Sequence, residues 1–166
     1  MGDFFNDLKR GKTAEQLLVQ LLTDAGLPSR ADKQARQQWD VISDFGKDEI
    51  TTEVKYDEYE NRSGNVAIEV YNPRLGKPSG VTATEAFFWA HVLVDGVAWI
   101  TPVSKLKKYV DKHAPERIID RGGDNNACLW LYKSLDILPD AFHRADTMTP
   151  DELLAFVLYH WNTKDE

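Results

Sequence analysis

The stretch Glu49 to Lys55 (EITTEVK) restricts the fold of this chain more than any other. Its β-branched residues alternate, so Ile50, Thr52 and Val54 share one face of a strand, with Thr51, Glu53 and Lys55 on the other. An apolar face of that kind has to be covered by another layer of structure. Upstream, Gln37 to Phe45 (QQWDVISDF) has strand character, and Gly46, Lys47 and Asp48 supply a turn signal between the two segments. The pair is expected to form a hairpin.

A covering layer is visible in the same way. Leu17, Leu18, Leu21 and Leu22 recur at helical spacing within Thr13 to Ala25, and Gly26 with Pro28 ends that helix. After an acidic loop closed by Ser63 and Gly64, Asn65 to Tyr71 (NVAIEVY) forms a third strand, followed by the irregular loop NPRLGKPSG. A second helix is expected from Thr82 or Thr84 through the Leu93 region, and Asp95-Gly96 then turns the chain into a fourth strand, Val97 to Pro102. The order αβββαβ predicts an α/β fold with a mixed central sheet. Further on come a basic helix (Ser104 to Lys112), a hairpin around Gly122 to Asn126, and a last helix. Thr149, Pro150 and Glu152 open that helix with a capping box, and Leu153, Leu154, Phe156, Val157 and Trp161 are its expected buried face. At 166 residues the chain suits one domain, with a core over 11–102 extended by 103–166.

Several function classes are disfavoured at once. Cys128 is the only cysteine, which leaves no internal disulfide and no cysteine-based zinc site. The longest apolar run, Ala86 to Val94, is broken by His91 and falls short of the ~20 residues of a membrane span. The N-terminus has no apolar stretch of signal-peptide length, so a cytoplasmic, non-membrane protein is expected. The four histidines, at 91, 113, 143 and 160, show no ligand spacing and read as core or surface residues. A net charge of −7 runs against a nucleic-acid partner. The basic residues are nonetheless clustered: Arg30, Lys33 and Arg36; Arg74 and Lys77; and a group between Val103 and Arg121. The last includes Lys105, Lys107, Lys108 and Lys112 with Tyr109 interleaved, for which a solvated helix face is the expected reading.

The residues that carry chemistry lie on the hairpin. If its strands pair, Asp40 falls beside Glu53, and Lys55 shares Glu53's face. Two adjacent carboxylates repel unless a cation sits between them, and hard oxygen donors suit Mg²⁺ or Mn²⁺. A lysine two residues on can help deprotonate or orient an attacking water and offset the charge building on a phosphate. Asp44 is the alternative acid if the register is shifted; Glu69 points away from Ile68 on the third strand and could approach the site, although a solvent-facing acid is the expected reading.

Asp40 followed by Glu53-x-Lys55 on consecutive strands resembles the PD-(D/E)XK nuclease superfamily, although Trp39 stands where the family's proline would be. The resemblance covers roughly residues 11–102 and implies a restriction-endonuclease-like core. It also implies that Asp40, Glu53 and the backbone carbonyl of Val54 hold the metal and that Lys55 serves the attacking water. Many members carry a further glutamate on the first helix, here Glu15. The Gly11-x-x-x-Glu15 helix, SGNVAIEVYNP and RGGDNNA resemble Holliday-junction resolvases and phage-encoded nucleases. DNA is then the expected partner, with branched DNA as one substrate the resemblance implies; a symmetric homodimer would make the paired cuts. Arg74 and Lys77, with Ser79, Thr82 and Thr84 at the start of the expected second helix, are candidates for backbone phosphates. Exonuclease, nickase and restriction-type action, and a non-catalytic nucleic-acid-binding module, remain open on these residues.

Overall fold

The computed structural model describes residues 4–33, 39–122 and 126–165, with side chains from Gly11 onward. The fold is α/β, with a mixed central sheet of six strands. Helix α1 (Phe4–Asp24) begins well before the expected Thr13 and is followed by a short strand β1 (Ser29–Ala31). Gly26, at φ 94°, stops the helix. Its N–H donates to Thr23 and that of Leu27 to Leu22, the paired bonds of a Schellman motif.

Strands β2 (Val41–Phe45) and β3 (Asp48–Asp57) form the expected antiparallel hairpin, in the register Val41↔Thr52 to Phe45↔Asp48. Gln37 and Gln38, where the first strand was expected to begin, lie outside the described residues. After the short helix α2 (Glu60–Ser63), β4 (Asn65–Asn72) does not join this sheet. It pairs instead with β5 (Lys77–Pro78) and with β9 (Ala127–Lys133), which also pairs with β8 (Arg117–Gly122), giving a second, four-stranded antiparallel sheet. The middle of the β8–β9 turn, 123–125, lies outside the described residues.

The expected second helix is absent from its place. A 3₁₀ turn at Gly80–Thr82 leads to strand β6 (Phe88–Leu93), parallel to β3 and antiparallel to β7 (Ala98–Pro102). A short apolar run broken only by His91 fits a buried helix or a central strand equally well by periodicity. Packing on both faces decides the outcome: Phe88 and Ala90 enter one core, and Trp89 enters the other. Helix α3 (Val103–Lys112) follows, then α4 (Ser134–Ala141), β10 (His143–Arg144) and α5 (Pro150–Asn162). The capping box of Thr149 and Glu152 is formed as expected, and Leu153 and Val157 are buried while Leu154, Phe156 and Trp161 pack at the margin.

The first core lies between the central sheet and helices α1 and α5, with Leu18, Leu22, Ile50, Val54, Phe88, Leu153 and Val157 among its members. The second joins Trp89 to Val66 and Ile68 of β4 and to residues of α3 and α4. A buried polar chain links the two sheets. The Trp89 indole N–H points to His91 Nδ1 at 3.5 Å, and His91 Nε2 donates to Asp57 Oδ2 at 3.0 Å. Asp57 also accepts backbone N–H groups of Tyr59, Glu60 and, on β4, Ala67. Burial would raise the Asp57 carboxyl, but the His91 contact and these N–H groups outweigh it and hold the carboxyl below its ordinary value. Its stabilising contribution is present above about pH 4 and is lost as the pH falls through the lowered folded value. Asp57→Asn is expected to cost about 3 kcal/mol in urea unfolding at neutral pH, as for one partner removed from a buried pair, with the difference shrinking in acid. Equal stabilities at neutral pH would contradict this role.

Candidate active site

The site is built where the β2–β3 ladder comes apart. Asp40 N–H still donates to Thr52 O at 3.0 Å, while Asp40 O accepts Asp32 N–H at 2.8 Å on the opposite side. Within a regular strand, one residue's N–H and C=O point the same way, so the chain bends at Asp40 and leaves β3. The Asp40 side chain fills the gap. Its Oδ2 accepts Val54 N–H at 2.8 Å, in place of the missing backbone acceptor. Extending the ladder by one pair sets Asp40 opposite Glu53, as the sequence suggested. It also leaves the Val54 C=O, on the same edge as its N–H, facing the opening.

Glu53 and Lys55 point to the other face of β3 from Val54, on the side of Trp89 and His91 in the parallel register Glu53↔Trp89 and Lys55↔His91. Lys55 Nζ lies 2.7 Å from Glu53 Oε1 and 5.7 Å from the Trp89 ring centroid. Glu15, half-buried on α1, feels the charges of Asp40 and Glu53. The structure thus brings together Glu15, Asp40, Glu53 and Lys55. Asp44 is elsewhere: with Glu49 it pairs to Arg30 on the exposed end of the hairpin, at 2.8 and 2.6 Å from the guanidinium.

Burial raises the carboxyls of Glu15, Asp40 and Glu53 above their ordinary values. Mutual repulsion adds to this: Asp40 on Glu15 and on Glu53, and Asp32 on Asp40. Burial pushes Lys55 down, but Glu53, Asp40 and Glu69 outweigh it and hold the ammonium above the ordinary lysine value. With these anions around it, Lys55 holds its proton in the metal-free protein.

The sequence reading missed Trp89, and it set Glu69 in solvent in preference to the site. Glu69 lines a cavity of about 280 Å³ with Lys55, Trp89 and His91, and its charge bears on both Glu53 and Lys55. Its solvent-facing reading rested on strand alternation, which points it away from Ile68. Trp89, beneath Lys55, was hidden in a segment expected to be helical. Among the phosphate candidates, Arg74 and Lys77 are exposed on the β4–β5 turn. The Thr82 hydroxyl donates to the carbonyls of Val70 and Ser79, and the Thr84 hydroxyl accepts Ala86 N–H. The helix these residues were to begin is the 3₁₀ turn, which removes the helix-terminus argument for Ser79, Thr82 and Thr84. Gly80 shows why the chain turns here: at φ 53°, a Cβ on it would lie 2.2 Å from Glu69 O.

Among the described residues no group of three or more His, Cys, Asp or Glu side chains converges as a ready-made metal cage. The donors at the β3 edge are two hard carboxylates that repel one another and a backbone carbonyl. That set fits Mg²⁺ or Mn²⁺, which take few protein ligands and keep waters.

In overall structure the chain is similar to a bacterial homing endonuclease, with a TM-score of 0.46 and 16% identity over 57% of this chain and 68% of that one. It is similar also to a Holliday junction resolvase from the archaeal hyperthermophile Archaeoglobus fulgidus, with a TM-score of 0.45 and 13% identity over 84% of this chain and 98% of that one. No protein-family model and no curated protein matches the sequence.

Because their folded values are raised, the acids cost stability as the pH climbs from about 4 through those values. Asp40→Asn keeps an acceptor for Val54 N–H and removes one charge. In metal-free buffer its Tm is expected to exceed the parent's at about pH 8, with the gap closing near pH 4. A lower Tm than the parent at both pH values would contradict the electrostatic account.

Proposed function

We propose that this chain is a divalent-metal-dependent endodeoxyribonuclease that hydrolyses DNA phosphodiester bonds, with branched DNA as its preferred substrate. The observation that carries the reading is the bend at Asp40, which sets a half-buried carboxylate against the Val54 N–H and opposite the Glu53–Lys55 ion pair. Asp40, Glu53 and the Val54 carbonyl would hold Mg²⁺ or Mn²⁺, with Glu15 reaching in from α1. When bound, the cation supplies Lewis-acid stabilisation of charge on the phosphate.

The chain's own residues account for the rest. Lys55 is held protonated by Glu53, Asp40 and Glu69, and its long stem rests by the Trp89 ring. It therefore serves as a hydrogen-bond donor and a positive charge, orienting a water and stabilising the phosphate oxygens as charge accumulates. The Asp57–His91–Trp89 chain keeps that ring in place. The preference for branches follows from the sequence resemblance to resolvases, and two symmetric cuts call for a homodimer.

Incubation with supercoiled plasmid and with a four-way junction, in Mg²⁺ and in EDTA, tests the reading. Metal-dependent cleavage is expected, with Lys55→Ala slower by about 10²-fold or more. An end-dependent ladder on linear DNA would reassign it to an exonuclease. No cleavage of any DNA form, or a Lys55→Ala variant that cuts at the parent rate, would overturn it.

A further inference from the structure

The face of β3 that carries Glu53 continues past the candidate centre. Thr51 lies on the same face, about 7 Å back along the strand, and it lines a groove of about 830 Å³ between α3 and the end of α5. Lys105, Lys107 and Lys108 of α3 and Lys164, just beyond α5, line the same groove. Lys107 Nζ donates to the Thr84 carbonyl at 3.5 Å, and Lys164 Nζ sits 3.6 Å from the Trp161 ring centroid. None of the four is ion-paired to a carboxylate among the described residues, and Glu85 is the single acid in the lining. The Lys105 charge also reaches His143 and His160, where, after burial, it helps hold both imidazoles below their ordinary values.

The chain has 27 acidic residues against 20 basic ones, yet among the described residues one acid, Glu85, lines the groove with these four ammonium groups. Uncompensated positive charge of this kind repels itself in the free protein and is relieved by a polyanion. The groove also adjoins the strand that bears Glu53, so a polyanion cut at that strand would run on into it. From this juxtaposition we infer that the α3–α5 groove carries the DNA backbone to one side of the scissile phosphate, with Lys105, Lys107, Lys108 and Lys164 as its phosphate contacts. The inference rests on the nuclease reading, but it predicts binding rather than turnover.

The test is fluorescence anisotropy of a labelled four-way junction and of a duplex, in EDTA, across a range of salt concentrations. The parent is compared with Lys105→Ala/Lys107→Ala/Lys108→Ala and with Lys105→Gln/Lys108→Gln, which keeps the Lys107 contact to Thr84. Lys47→Ala, on the exposed β2–β3 turn, is the control. Each lost phosphate contact is expected to lower the slope of log K against log salt by about 0.9 on duplex. The triple variant should therefore weaken binding more than tenfold at moderate salt, and the control should match the parent. Parent-like affinity and slope in both lysine variants would overturn the inference, as would a parent that does not bind DNA. Equal competition by poly-glutamate at matched charge would reassign the groove to an acidic protein. If lysine-dependent binding is seen without cleavage of any DNA, the groove stands and the nuclease reading falls. If the parent cleaves and the lysine variants bind normally, the reverse holds.

Discussion

Everything in the candidate site depends on the contact between the Asp40 carboxylate and the Val54 N–H. A β-hairpin normally pairs its backbone to the end, and an unpaired N–H on β3 would be costly so close to the core. Here the side chain of Asp40 supplies the acceptor at 2.8 Å, which allows β2 to bend away. One interaction thus satisfies the strand, opens its edge and fixes a carboxylate opposite Glu53. The fold gains a hydrogen bond from a group whose charge it must also bury.

That burial sets stability against function. Glu15, Asp40 and Glu53 are all raised, and each is pushed further by a neighbouring acid. A sequence optimised only to fold would not gather them. Lys55 offsets part of the repulsion, and the Trp89 ring limits where it can go. The Asp57–His91 pair is the opposite case, because its charge is fully served by hydrogen bonds and it ties the central sheet to β4.

The hairpin that carries the site candidates was more legible than the strands packed around it. Glu53 and Lys55 lie on one strand, where alternation fixes their common face, and the turn at Gly46 limits the register that brings Asp40 to them. Both depend on local rules. The β6 segment was misread because a short, largely apolar run carries no clear period, and only the parallel pairing with β3 makes it a strand. Likewise nothing local says that β4 leaves the hairpin for β9, some sixty residues later in the chain. Glu69 was misjudged for that reason, since its surroundings are set by the second sheet. Helix α4, which holds Pro139 and buries Ile137, Leu138 and Ala141, also follows from tertiary packing rather than from clear sequence signals.

The central claim is that the bent edge of β3, and no other acidic cluster, is the divalent-cation site. Titration of Mn²⁺ followed by the EPR signal of the free ion tests it without any DNA. The account predicts that the parent takes up Mn²⁺, that Glu53→Gln abolishes the uptake, and that Asp44→Asn leaves it unchanged. A parent that leaves all the Mn²⁺ free, or uptake that survives Glu53→Gln and disappears with Asp44→Asn, would contradict it.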